Sequence, residues 1–276
     1  MKSDKEAAKA AFARLLDIMD DLREKCPWDR KQTFESLRPQ TIEETSELSD
    51  AILENDLKEI SKELGDVLLH VVFYAKLGEE QGAFDIAQVT NRLCDKLIYR
   101  HPHVYGDVQA ADAGAVIKNW EQIKRTEKDG NKTVLSGVPQ SLPPIIKAYR
   151  MQEKARAVGF DWNRREDVWE KVAEELGEFK AELSTLEKGD TEARKAAEGE
   201  LGDLLFSMIN AARLYDLNPD TALERTCKKF RDRFTYVEVE GKERGKDLKE
   251  MSLEEMDALW NEAKQQEKDA EKLTNN

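Results

Sequence analysis

The chain has 276 residues, 39% hydrophobic and 37% charged, which is too apolar for a disordered tail and long enough for one or two buried cores. Its formal net charge of −13 repels nucleic-acid backbones and excludes a DNA or RNA duplex as a partner, while a phosphate compound stays possible if a bound cation intervenes. Cys26, Cys94 and Cys227 are widely spaced and form no CxxC pair, and neither a signal-peptide pattern nor a membrane-spanning apolar run occurs, so a soluble, cytoplasmic protein without disulfides or zinc is expected.

Ala, Glu, Lys, Leu and Arg fill long stretches and strand-like alternation is weak, which predicts an all-α fold. In chain order, helices are expected near residues 4–25, 39–54, 58–78, 84–99, 112–128, 144–157, 165–187, 196–214, 219–246 and 252–268. The clearest periodicity lies in 58–78, where Leu64, Val67, Leu68, Val71, Val72 and Ala75 follow the i, i+3, i+4, i+7 pattern, and in 196–214, where Leu201, Leu204, Leu205, Met208, Ile209 and Ala212 do the same. Between these regions, Asp-Gly-Asn-Lys, Ser-Gly-Val-Pro and Ser-Leu-Pro-Pro interrupt helix formation. The expected division is therefore a helical domain over 1–130, a linker over 131–144 and a second helical domain over 145–276.

The two halves repeat each other. Glu-Glu-Thr-Ser-Glu-Leu (43–48) precedes Glu-Leu-Gly-Asp-Val-Leu-Leu (63–69), and Glu-Glu-Leu-Gly-Glu-Phe (174–179) precedes Glu-Leu-Gly-Asp-Leu-Leu-Phe (200–206). Each half also places a Trp and an Asp ahead of its first acidic helix, Trp28 with Asp29 and Asp161 with Trp162. The pattern predicts a duplicated helical-bundle unit.

Glu44 with Glu47, Glu63 with Asp66, Glu175 with Glu178, and Glu200 with Asp203 are each spaced i, i+3, so each pair shares one side of a helix. An isolated pair of this kind is ordinarily a solvated face. Here the acids border the apolar stripes, placing them at the edge of the core, and the arrangement recurs. Four converging carboxylates need positive charge among them, and Mg²⁺, which takes oxygen ligands and keeps waters and substrate phosphates, is the natural occupant. Gly65 and Gly202 interrupt these helices at a cost of roughly 1 kcal/mol relative to Ala; they either admit a close neighbour or ligand, or are merely tolerated. Di-iron bundles require Glu-x-x-His pairs, and none of His70, His101 and His103 lies three residues after a Glu. His70, matched by Ser207 in the second half, reads as a helix residue near the core. Phosphate loops, GxSxG and HExxH are all missing, which leaves metal-assisted attack by water.

Cys26-Pro27-Trp28-Asp29, the two acidic blocks of each half, Arg100-His101-Pro102-His103-Val104, Trp120-Glu121-Gln122-Ile123-Lys124, Ser141-Leu142-Pro143, Gly159-Phe160-Asp161-Trp162 and Lys229-Phe230, taken in order, resemble the MazG nucleoside triphosphate pyrophosphohydrolases. The resemblance implies an all-α NTP pyrophosphatase fold, a homodimer, and Mg²⁺-dependent cleavage of a nucleoside triphosphate to monophosphate and pyrophosphate. It implies a second-half metal site of Glu175, Glu178, Glu200 and Asp203, with Glu174 a further ligand, and a first-half site of Glu44, Glu47, Glu63 and Asp66. It ranks the second site first and implies that Lys229, Arg233, Trp260 and Lys264 contact the nucleotide. Their ordinary alternatives are a solvated helix pair for the first two and core or dimer interface for Trp260. Trp28 and Trp162 are either packing residues or base-stacking ones. Two rival functions are a related helical pyrophosphohydrolase specific for dUTP or phosphoribosyl-ATP, and a non-catalytic helical scaffold.

Overall fold

Helices begin where the sequence supplies oxygen acceptors for otherwise unpaired N–H groups. Asp4 caps α1 (Lys5–Lys25), Asp56 caps α3 (Leu57–Glu80) and Asp85 caps α4 (Ile86–Arg100). Thr33 and Ser36 form a reciprocal capping box that starts α2 at Phe34 and carries it to Glu54. The cap explains why α2 begins ahead of the predicted position 39: the helix is nucleated before Pro39 and runs through it. A one-turn helix, α5 (Pro102–Tyr105), follows. In the second half, α6 (Pro144–Ala157) opens on a proline, α7 spans Val168–Thr185, Asp190 caps α8 (Thr191–Leu214), Asn218 caps α9 (Pro219–Glu243), and α10 spans Leu253–Thr274.

This computed structural model describes residues 4–108, 116, 123, 133–186 and 190–274, and no strand occurs among them. The helix expected near 112–128 lies outside the described residues apart from Val116 and Ile123, both helical. The chain forms two compact units, Met1–Glu127 and Lys128–Asn276. Between 133 and 143 the backbone makes turns without a regular helix, yet Val138 is buried there.

Each unit is built on an acidic hairpin, α2 against α3 and α7 against α8. The first turns through Asn55 and Asp56, with Asn55 left-handed at φ 56°. Its core joins Met19, Leu37, Val72, Phe73 and Leu77, with Phe34, Leu69 and Tyr74 packed against them. At the end of α3, Phe84 folds so closely onto Gly78 that a Cβ there would meet its ring at 2.5 Å. In the second unit α9 packs on α10 and α6 packs on α8, burying Val168, Ile209, Ala211, Val237 and Leu259.

Only part of each predicted apolar stripe enters this packing. Val72 and Ala75 are buried on α3, and Ile209 on α8, but Leu64, Leu68, Val71, Leu201, Leu205 and Met208 are exposed. A Cβ on Gly65 or Gly202 would meet nothing within 4 Å, so no neighbour within the chain requires glycine at either position.

Candidate active site

The hairpins bring acids from two helices together in both halves. Glu44 of α2 meets Glu63 and Asp66 of α3, and Glu175 of α7 meets Glu200 and Asp203 of α8; within each group, one oxygen from every residue lies within 4.8 Å of the others. Glu47, Glu178 and Glu174 fall outside these groups and are exposed. Glu178 still faces the second cluster: burial first, then Glu178, Asp203 and Glu175, push the Glu200 carboxyl above the usual carboxylate range. In the first half, burial followed by Glu63 and Glu44 raises the carboxyl of Glu47 in the same way.

One acid in each group lies deeper than the edge of a core, while its neighbours are half-buried or exposed. Glu63 is 1% exposed and Glu175 is 6% exposed, and Glu63 Oε2 has no hydrogen-bond partner. A buried carboxylate is costly unless a cation joins it. A lysine supplies part of that charge. Lys62 Nζ lies 2.6 Å from Glu63 and 2.7 Å from Glu59, whereas Lys171 Nζ lies 2.6 Å from Glu175 and 3.1 Å from Glu174. Those hydrogen bonds raise both lysines above their ordinary range, Lys62 chiefly through Glu59 and Lys171 chiefly through Glu175. Sequence reasoning passed over both lysines, although the i, i+4 spacing of Lys171 and Glu175 signals the second pair.

The remaining carboxylate oxygens suit a hard divalent cation. Opposite ligands of Mg²⁺ stand about 4.2 Å apart, so small side-chain movements would close either group around the ion. Glu175 and Asp203 also line a cavity of about 860 Å³, together with Lys171, Gln152, Phe160, Trp162, Asn163, Ser207, Asn210 and Arg213. Arg213 is buried and grips Asp161 through two nitrogens, at 2.5 and 3.1 Å, which anchors the turn carrying Phe160 and Trp162. Gly159 allows that turn, with φ 90°.

The first half fills the matching helix positions. Counting from the Glu-Leu-Gly-Asp blocks, Ser207 corresponds to His70 and Asn210 to Phe73. His70 is buried, with Nδ1 2.8 Å from Thr41 Oγ1, which also lies 2.6 Å from the Tyr74 hydroxyl. Phe73 belongs to the core cluster. His70 is thus a core residue, as its place in the sequence predicts.

The four predicted nucleotide contacts gather on the α9–α10 pair, and none lines the cavity. Arg233 binds Glu267 at 2.7 Å and lies over the Trp260 ring, 5.7 Å from its centroid. The Arg233 hydrogen bond, with the nearby charges of Lys229 and Lys264, holds Glu267 below the usual carboxylate range. Trp260 also packs against Phe230, with ring centroids 5.2 Å apart. Trp28 and Trp162 are both substantially exposed, and of the two only Trp162 lines this cavity.

Residues 32–105 and 164–237 each match the family model of the MazG nucleotide pyrophosphohydrolase domain. The chain is 43% identical over 256 residues to the nucleoside triphosphate pyrophosphohydrolase/pyrophosphatase MazG of Thermotoga maritima, a match covering 92% of this chain and 95% of that protein. It is 39% identical over 263 residues to the nucleoside triphosphate pyrophosphohydrolase of Escherichia coli K12, covering 93% of this chain and 98% of the relative. It is also 45% identical to the uncharacterised Bacillus subtilis protein YabN, of which the match covers 52%. Duplicated acidic hairpins, a double domain match and relatives aligned almost end to end agree: the chain is an enzyme of the MazG nucleotide pyrophosphohydrolase family.

Proposed function

We propose that the protein hydrolyses nucleoside triphosphates to a nucleoside monophosphate and pyrophosphate, with Mg²⁺ held in the second half by Glu175, Glu178, Glu200 and Asp203 and with Glu174 at the margin. The observation that carries this reading is the meeting of Glu175, Glu200 and Asp203 beside a cavity of nucleoside size. When bound, Mg²⁺ would neutralise phosphate charge and make a water nucleophilic toward the α-phosphorus. The chain's own part is to hold and orient the triphosphate and to take the proton of that water. Glu178 suits the proton, because it is exposed beside the cluster, whereas Glu175 is buried and paired with Lys171. Lys171 can turn from Glu175 to a phosphate oxygen without leaving the site.

The first-half acids Glu44, Glu47, Glu63 and Asp66 bind a cation on the same grounds. Their role is secondary, because His70 and Phe73 occupy the positions that border the cavity in the second half. Lys229, Arg233, Trp260 and Lys264 form the nucleotide's further contacts. Since they do not line the cavity of their own unit, they act when substrate or a second copy of the chain brings the two surfaces together. The exposed apolar faces of α3 and α8 support a homodimer. No helix among the described residues is long and apolar enough to cross a membrane. The unpaired Cys26, Cys94 and Cys227 suit the reducing cytoplasm.

Pyrophosphate release from a panel of nucleoside triphosphates, with and without Mg²⁺, tests the reading. Asp203→Asn and Glu178→Gln should each lower kcat by at least about a hundredfold with helix content unchanged. Full activity in both, or release of orthophosphate in place of pyrophosphate, removes the reading. A panel in which dUTP or phosphoribosyl-ATP alone reacts would establish the narrower specificity.

A further inference from the structure

The cavity beside the second acidic cluster contains a polar group that the chain itself leaves unused. Gln152, on α6, lines the cavity and is 6% exposed. Its Nε2 donates to the Phe206 carbonyl at 2.8 Å. A carbonyl only accepts, so this bond fixes the orientation of the side-chain amide and leaves Oε1 as the free end. That oxygen is buried and has no hydrogen-bond partner. A buried acceptor without a donor is unfavourable, and such groups persist where a ligand completes them. One helix away, Asn210 is arranged in the opposite sense. Its Oδ1 accepts from Arg213 Nε at 3.0 Å and from a terminal guanidinium nitrogen at 2.8 Å, which leaves its NH₂ to donate.

We propose that the nucleobase of the substrate enters this cavity and that Gln152 recognises it by accepting a hydrogen bond from a base N–H, with Asn210 donating to the neighbouring acceptor. The proposal rests on the triphosphate reading above and adds where the base goes and what reads it. Gln152 lies outside both segments that carry the family match. The edge recognised is one that presents a donor beside an acceptor, and a base without any N–H lacks the feature that Gln152 requires.

Purine riboside triphosphate and pyrimidin-2-one riboside triphosphate carry no base N–H and serve as probes against ATP, GTP, CTP and UTP. The wild type should show kcat/KM at least about tenfold higher for its preferred natural substrate than for the matching probe. Gln152→Met, close in shape and without an amide, should abolish that preference by lowering kcat/KM for the natural substrate at least about tenfold more than for the probe. Equal losses on natural substrate and probe would mark Gln152 as structural and overturn the proposal, as would a wild type that does not distinguish the two. Absence of pyrophosphate from every substrate, probes included, would instead remove the underlying triphosphate reading.

Discussion

Glu200 shows what crowding like charges does to a single residue. Burial and the neighbouring acids raise its carboxyl, so in the folded chain it opposes stability above that raised value and ceases to do so below the unfolded value. Glu200→Gln should therefore raise the Tm of cation-free protein at neutral pH and flatten the gain in stability seen on mild acidification. The same substitution should reduce the thermal stabilisation that added Mg²⁺ gives, and differential scanning calorimetry reads both effects. Gly78 is a case of shape rather than charge. With the Phe84 ring against its α-carbon, Gly78→Ala should cost about 1–3 kcal/mol in denaturant unfolding. The acids are legible in the sequence because carboxylates spaced i, i+3 that border an apolar stripe, and do so in both halves, do not fit a merely solvated helix face. Gln152 and Arg213 are not legible there, because their importance lies in what they face beyond their own helices, Phe206 and Asp161, and no local spacing encodes that.

Among the elements, the acidic hairpins follow from periodicity and caps, while helix starts shift where a capping box outweighs a proline. The stripes of α3 and α8 mislead in one respect. Periodicity marks a residue as apolar without saying which apolar face the unit covers, and Leu64, Leu68, Leu201 and Leu205 lie on uncovered faces. Gly65 and Gly202 belong to the same two helices. With open space around both, Gly65→Ala and Gly202→Ala should each stabilise the monomer by up to about 1 kcal/mol in denaturant unfolding. The α9–α10 pair is held differently, by Arg233 on Glu267 and Arg244 on Glu262, and both carboxyls are depressed by those hydrogen bonds. Depressed carboxyls contribute stability that is complete above the unfolded value and is lost as pH falls through the folded one. Hydrogen-exchange protection in α9 and α10, taken relative to the intrinsic rate at each pH, should accordingly fall below about pH 4, and Glu267→Gln should weaken that dependence.

On the scale of the whole molecule, duplication gave two acidic hairpins of similar build and different surroundings. Removing all four first-half acids should leave most pyrophosphate release intact, whereas removing the four second-half acids should abolish it. Charged substitutions on the uncovered faces, such as Leu68→Glu and Leu205→Glu, should shift the protein to monomer in analytical ultracentrifugation if those faces pair. The copies have also diverged in a way that alignment hides. By sequence Glu63 corresponds to Glu200, yet by burial and by its lysine Glu63 corresponds to Glu175, on the opposite helix of the hairpin. Ancestry and environment thus assign different counterparts to the same side chain. A swap experiment that grafts one half's residues onto the other by alignment alone would leave both glutamates as they are but carry Lys62 onto the position of Gly199, beside the shallower Glu200, and would report on that mismatch before it reported on chemistry.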